Sequence, residues 1–372
     1  MSKTIGVIGG GQLARMMIPA AVNLGLDIRV LAQSAGEPAA LAVTALGSHL
    51  ELDDVLAFAE GVDVVTFDHE HVPQHVLREL VARGVDVQPS PDALRFAQDK
   101  LAMRERLAEL GVPVPDWARV ETTAELAAFL ADHGGAGVLK TPTGGYDGKG
   151  VRVVRDAADA DDWFADGGPL LVEELVDFRR ELAQLVARRP SGELALWPVV
   201  ESVQRDGVCA EVIAPAPASV GRVADVAADI ATTIAESLRV TGVLAVELFE
   251  TTDDRLLVNE LAMRPHNTGH WSIDGSTTSQ FEQHLRAVAD LPLGATGCRD
   301  PWSVMVNVLG GPTTGTIADR YDAAFADQPT VKFHFYDKAP RPGRKVGHVT
   351  AGGDDLDEVV YRARAASAFF DN

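Results

Sequence analysis

Four short runs in the first ninety residues constrain the fold most: "TIGVI" (4–8), "DIRVL" (27–31), "VDVVTF" (62–67) and "VDVQP" (85–89). Each is β-branched and almost continuously apolar, as parallel strands covered on both faces are. Each ends in polar or turn residues: Gly10-Gly11-Gln12, Gln33-Ser34, Asp68-His69-Glu70 and Pro89-Ser90. In an open α/β sheet, those carboxyl ends line the ligand crevice. The first run passes into Gly9-x-Gly11-x-x-Ala14, the Ala form of the dinucleotide-binding fingerprint. An NAD site carries Asp or Glu at the end of the second strand to hold the ribose hydroxyls. Here that end offers Ala32, Gln33 and Ser34. The turn therefore reads as Rossmann-like without NAD, an anion-tolerant helix N-terminus with Gln12 toward the crevice. Pro19 in the following helix is unexpected, since an interior proline bends a helix or costs ~3 kcal/mol.

At 372 residues the chain is too long for one ordinary domain. Its 54 acidic against 33 basic residues leave a net charge of −21, which disfavours nucleic acid and anionic lipid as partners. No apolar run reaches the roughly 18 residues that a membrane helix needs. The N-terminus enters a strand at once, so no signal peptide is expected and the chain reads as cytoplasmic. Cys209 and Cys298 stand alone and suggest neither a disulfide framework nor zinc. Against this acidic background the cluster Lys338, Arg341, Arg344 and Lys345 stands out.

Residues 91–110 read as one helix opened by Pro91-Asp92, and "GVPVPDW" after it as an extended linker. Helical "TTAELAAFLADHG" and strands "GVLK", "VRVVR" and "PLLVEELV" follow. Further on come strands "ELALWPVV", "VLAVELFE" and "RLLVNELA", with helices "VADVAADIATTIAESL" and "SQFEQHLRAVADL".

Between "GVLK" and "VRVVR" lies "TPTGGYDGKG", whose glycines 144, 145, 148 and 150 free backbone N–H groups to turn toward phosphate oxygens. Lys140 and Lys149 supply charge. Alone, the loop fits a flexible hairpin with solvated lysines equally well. The hairpin "VLAVELFETTDDRLLVNELA" says more. Symmetric pairing about Asp253-Asp254 sets Glu247 opposite Glu260. Opposed carboxylates destabilise a ladder, and a hard divalent cation between them removes the repulsion. With Asn259 alongside, the pair suggests magnesium bridging nucleotide phosphates; a different register would leave both glutamates solvated. Arg264, His266, Asn267 and His270 in "RPHNTGH" then crowd donors beside an anionic reacting group, or pack in the core.

Taken in order, "GGYDGKG", "VEELVDFRRE", "VELF…VNELAMRPHNTGHW" and "YDKAPRPGRKVGH" resemble the 5-(carboxyamino)imidazole ribonucleotide synthase family of the ATP-grasp superfamily, along nearly the whole chain. The resemblance implies an α/β protein: a Rossmann-like pre-ATP-grasp domain (1–95), an ATP-grasp domain (96–300) with a mobile lid at about 118–180, and a small C-terminal domain (301–372). It implies ATP- and bicarbonate-dependent carboxylation of 5-aminoimidazole ribonucleotide through carboxyphosphate, in purine biosynthesis, by a homodimer. Carried over residue by residue, Mg²⁺ sits between Glu247 and Glu260, with Asn259 beside it. The lid residues Gly145, Tyr146, Asp147, Gly148, Lys149 and Gly150 close over ATP, and Lys140 meets phosphate. Main-chain groups of Glu173, Glu174, Leu175 and Val176 hold adenine, and Glu181 holds the ribose. Arg95 falls where a cation meets the nucleotide, a role Lys100 can share, and Gln204 lies near it.

The ribonucleotide meets Glu70, Tyr146, Asp147 and Lys149, and its phosphate meets Lys338, Arg344 and Lys345. Arg264, His266 and Lys338 surround carboxyphosphate, and Asp147 orients the amine or takes its proton. Members often carry His in place of Gln204 and Arg in place of Lys149, where Lys keeps the charge without the bidentate fork. Another ATP-grasp ligase, such as a formate-dependent glycinamide ribonucleotide transformylase, is the alternative within the fold. An NAD oxidoreductase lacks its acidic anchor, and a binding-only module would not need the carboxylate pair.

Overall fold

The computed structural model describes residues 3–145, 150–219 and 221–370. Three of the four N-terminal runs become β1 (Thr4–Ile8), β2 (Asp27–Ala32) and β4 (Val64–Phe67). With β3 (Val43–Leu46) at the edge, they form a parallel sheet in the order β3-β2-β1-β4. β3 is half-exposed along its length, so it carries no continuous apolar run to betray it. The fourth run contributes one parallel bridge, Val65 to Val87, before Pro89 removes the next donor. The helix Gln12–Leu24 continues through Pro19 and ends at Gly25 in the left-handed region, φ 65°.

Residues 91–110 are two helices rather than one: Pro91–Gln98 and Lys100–Glu109. Between them Asp99 is extended, and its carboxylate accepts from the N–H groups of Leu101 and Ala102. A short acidic side chain competes with the helical backbone in this way, ending one helix and capping the next.

Four antiparallel strands make a separate small sheet in the order β5-β8-β6-β7: β5 (Trp117–Val120), β6 (Gly137–Lys140), β7 (Val151–Val154) and β8 (Leu170–Glu174). Its helix Thr123–Asp132 starts in a Thr122/Glu125 capping box. This unit has its own core, including Leu126, Phe129, Leu139 and Val172.

The remaining strands are β9 (Phe178–Arg188), β10 (Leu194–Leu196), β11 (Val200–Arg205), β12 (Val208–Ala214), β13 (Gly242–Thr251), β14 (Leu256–Ala262), β15 (Trp302–Leu309), β16 (Lys332–Phe335) and β17 (Lys345–Gly353). They form one sheet in the order β14-β13-β9-β11-β12-β15-β17-β16, with β10 paired to β9. Long β9 hides in the sequence because it begins with the charged "FRRE". "ELALWPVV" is not one strand but two, β10 and β11. The C-terminal strands extend the large sheet through β12–β15 pairing, Glu211 with Val306 to Ala214 with Ser303. A continuous apolar cluster that includes Phe67, Leu94, Met103, Leu182 and Val246 joins the first sheet to the large one.

Candidate active site

The glycine turn after β1 is already full. Gly10 N–H donates to Glu37 Oε2 at 3.0 Å, and Gln33 N–H donates to Glu37 Oε1 at 3.0 Å. Ala14 N–H, in the first turn of its helix, donates to Asp68 Oδ1 at 2.7 Å. A Cβ on Gly10 would lie 2.3 Å from Glu37 Oε2, and one on Gly11 would lie 2.1 Å from Asp68 Oδ2. The glycines thus admit the chain's own carboxylates, which occupy the donors that a pyrophosphate would need. The turn is anion-tolerant, as expected, and two of its neighbouring anions are the chain's own. Burial raises the Asp68 carboxyl to about 6 despite the Ala14 N–H and the charges of Arg264 and Lys338.

In the β13–β14 hairpin Glu247 faces Glu260, by a route that symmetric pairing misses. Near the turn Glu250 pairs with Leu256 and Leu248 with Val258, one residue off the expected register. A bulge at Asn259 restores it, so Asn259 and Glu260 together oppose Glu247. Glu247 Oε1 lies 3.1 Å from His266 Nε2, and Glu260 Oε1 accepts from Lys100 Nζ at 2.8 Å. Burial works to raise the Glu247 carboxyl, but the His266 hydrogen bond and the nearby cationic side chains hold it below the usual carboxylate range. Two facing carboxylates with an amide oxygen beside them are the hard donor set that magnesium uses when nucleotide phosphates complete its shell, so the residues fit that ion.

Lys140, at the end of β6, donates to Glu173 Oε2 at 2.6 Å and to Asn259 Oδ1 at 3.3 Å. Burial holds its ammonium below the usual lysine range, with Glu173 opposing the shift. Glu173 is 2% exposed, and its other oxygen accepts from Arg104 Nε. Burial alone would raise the Glu173 carboxyl, but Arg104 and Lys140 pull it below its ordinary value. For Glu181, on β9, burial and then the Glu247 charge raise the carboxyl to about 7.

Glu70 binds protein groups with both oxygens, Arg264 Nε at 2.6 Å and Met263 N–H at 3.0 Å. It therefore orients Arg264, a role the sequence does not reveal. Lys338 Nζ donates to Gln12 Oε1 at 2.6 Å, tying the C-terminal loop to the opening turn. The amide of buried Gln280 brackets His266, accepting from its N–H and donating to its carbonyl, both at 2.8 Å.

The hairpin thus sets three contacts side by side: Lys140 with Glu173 and Asn259, Lys100 with Glu260, and His266 with Glu247 across the ladder, with Glu181 and Arg264 near enough to feel the Glu247 charge. Glu174, Leu175 and Val176 end β8 and lead into β9; Glu174 N–H is taken by the Asp116 carbonyl, and Leu175 is exposed. Gln204 donates to Ser202 Oγ on β11. Arg344 donates to the Ala339 carbonyl within its own loop, and the charge of Lys345 acts on Glu247.

Arg95 is exposed, with its guanidinium over the Phe96 ring, and Lys100 is the cation that donates to Glu260 of the carboxylate pair. Asp99 ends the helix that carries Arg95 and starts the one that carries Lys100. Gly145 and Gly150 are described; Tyr146, Asp147, Gly148 and Lys149 lie outside the described residues. Arg104 and Gln280 are missed by sequence reasoning. Only the i, i+4 spacing of Lys100 and Arg104 hints at the first.

Residues 1–98 match the ribonucleotide synthetase preATP-grasp domain family, 105–281 the ATP-grasp domain family, and 303–362 the phosphoribosylaminoimidazole carboxylase C-terminal domain family. The chain is 54% identical over 371 residues to the N5-carboxyaminoimidazole ribonucleotide synthase of Mycobacterium tuberculosis, covering 98% of this chain and 86% of that one. It superposes with a TM-score of 0.90 and 34% identity on the Aspergillus clavatus carboxyaminoimidazole ribonucleotide synthase complexed with ATP, covering 99% and 98% of the two chains. A structure of the Aspergillus clavatus enzyme with ADP and 5-aminoimidazole ribonucleotide gives 0.89 at 32% identity, covering 100% and 99%.

Proposed function

The chain belongs to the N5-carboxyaminoimidazole ribonucleotide synthase family of ATP-grasp enzymes, and from that premise we propose how its residues divide the work. The enzyme is an ATP-dependent ligase that carboxylates 5-aminoimidazole ribonucleotide in purine biosynthesis, with bicarbonate as the carbon donor. The observation that carries this reading is the facing carboxylate pair Glu247–Glu260, with Lys100 on Glu260 and Lys140 on the adjacent Asn259.

Bicarbonate is a poor electrophile, so ATP must first phosphorylate it. Phosphoryl transfer is catalysed by positioning and charge neutralisation rather than by covalent chemistry on the protein. Glu247 and Glu260 would hold a magnesium ion, which when bound would supply part of that neutralisation. Lys140 and Lys100 supply the rest on the polyphosphate. Adenine rests against the Glu173–Val176 segment, and Glu181 takes up the ribose hydroxyls. Arg264, oriented by Glu70, and His266, bracketed by Gln280, hold the carboxyphosphate oxygens on the crevice side. Lys338, fixed by Gln12, together with Arg344, receives the ribonucleotide phosphate. Lys345, closer to Glu247, adds to the positive field there. Asp147, carried on the lid loop with Tyr146 and Lys149, orients the amine or accepts its proton, on the strength of the resemblance. Closure of that loop excludes water while carboxyphosphate lasts.

We also propose divisions at about residues 95 and 300 and a homodimer in the cytoplasm, supported by the family matches and the resemblance. No helix among the described residues is long and apolar enough to cross a membrane. The test is ADP release with bicarbonate, with and without 5-aminoimidazole ribonucleotide, against formate with glycinamide ribonucleotide. Stimulation by the first pair alone is expected. Stimulation by formate and the glycinamide instead would replace this reading with the transformylase.

A further inference from the structure

Arg104 is fully buried, and its hydrogen bonds among the described residues go to Glu173 and the Asn259 backbone. Its Nε donates to Glu173 Oε1, and its Nη2 donates to the Asn259 carbonyl at 2.7 Å. Its Nη1 is buried with no hydrogen-bond partner among the described residues. The carboxylate of Glu173 is thereby divided, one oxygen to Arg104 and the other to Lys140 at 2.6 Å. The two cations and one anion of this buried triad leave a net charge of +1, with Lys140 the most exposed of the three. Without Arg104, Lys140 and Glu173 would form a closed neutral pair. Such a pair offers an incoming polyphosphate little, because the lysine's field is cancelled within 3 Å by its own counter-ion.

Arg104 also crosses between units. It stands on the helix Lys100–Glu109, grips the end of β8 in the small sheet, and bonds the bulged residue of β14 in the large one. The segment that receives adenine follows directly from the gripped end of β8.

We propose that Arg104 is a positioning residue for ATP: it neutralises Glu173 so that the charge of Lys140 is available to the nucleotide phosphates. This rests on the reading of Lys140 as a phosphate ligand. Arg104 touches no substrate and acts through Glu173.

The experiment compares ATP binding, kcat, KM for ATP and KM for 5-aminoimidazole ribonucleotide in Arg104→Gln, Arg104→Lys, Glu173→Gln, Lys140→Gln and the double variant Arg104→Gln/Glu173→Gln. Arg104→Gln weakens ATP binding on the order of tenfold or more, leaves KM for the ribonucleotide within about twofold, and is largely rescued by Arg104→Lys. Adding Glu173→Gln to Arg104→Gln restores ATP binding, because the double variant has the native net charge. Should Arg104→Gln fail to fold, the double variant and Arg104→Lys carry the test. A double variant that binds ATP more weakly than either single variant shows a merely structural contact and overturns the proposal. So does a folded Arg104→Gln protein with native ATP affinity while Lys140→Gln has lost it. Native ATP affinity in Lys140→Gln would instead remove the phosphate role of Lys140, and this proposal with it.

Discussion

Asp68→Asn tests the electrostatics beneath the opening turn. The carboxyl is buried against the helix that starts at Gln12, and its Oδ1 accepts from Ala14 N–H. Asparagine keeps the Ala14 acceptor and removes the charge, while one carboxylate oxygen that can serve the Leu13 N–H is replaced by a donor. Raising an acid from its ordinary 3.8 to about 6 means that the folded chain binds more protons than the unfolded chain between those values. Stability therefore falls as pH rises through that window, and the loss is complete above pH 6. At about 1.4 kcal/mol per tenfold change, the full penalty is about 3 kcal/mol, of which roughly half is in place at pH 5. The neutral variant escapes it, so it is more stable than the native protein at pH 7.5 and the gap narrows by about 1.4 kcal/mol at pH 5. Urea denaturation of both proteins at the two pH values, followed by tryptophan fluorescence and by circular dichroism, measures the gap. A variant that is no more stable at pH 7.5, or a gap that ignores pH, refutes the reasoning.

Glu260→Gln leaves the fold intact and abolishes magnesium-dependent turnover, measured as ADP release; near-normal activity would remove Glu260 from the metal site. Substituting Lys338 or Arg344 by Met weakens ribonucleotide binding far more than ATP binding by calorimetry, and equal losses would make the basic loop structural. Gly11→Ala forces Asp68 away from the helix N-terminus, since its Cβ would stand 2.1 Å from Oδ2, and costs about 1–3 kcal/mol of stability in the same urea assay. An unchanged midpoint would show that the contact relaxes freely. Titration with NAD gives no saturable binding at the opening turn, because Glu37 and Asp68 already hold its donors; binding lost on Glu37→Arg would contradict that.

Most of the element pattern was legible because it is local. Parallel strands buried on both faces announce themselves as apolar runs, and a Thr-x-x-Glu capping box announces a helix start. β3 and β9 were not legible, one half-exposed and the other charged at its start, since their place comes from neighbours far along the chain. The absence of an acidic ribose anchor was enough to argue against NAD, but nothing local shows that Glu37 and Asp68 fill the turn. The glutamate pairing was reached from a turn placed one residue off, and the bulge at Asn259 made up the difference. Arg95 and Lys100 carry the same charge five residues apart, and nothing local shows that Lys100 is the one that reaches Glu260 while Arg95 stands exposed.

By itself the sequence determined the family, the chemistry of the donor set and most strands and helices, because residue type and short-range spacing encode them. Tertiary structure alone decided which charges are spoken for. Glu70 belongs to Arg264, Glu37 to Gly10 and Gln33, and Glu173 is shared by Arg104 and Lys140. A buried ionic group is defined by the partner that offsets its desolvation. Those partners lie 27 to 194 residues away, apart from Gln33 at four.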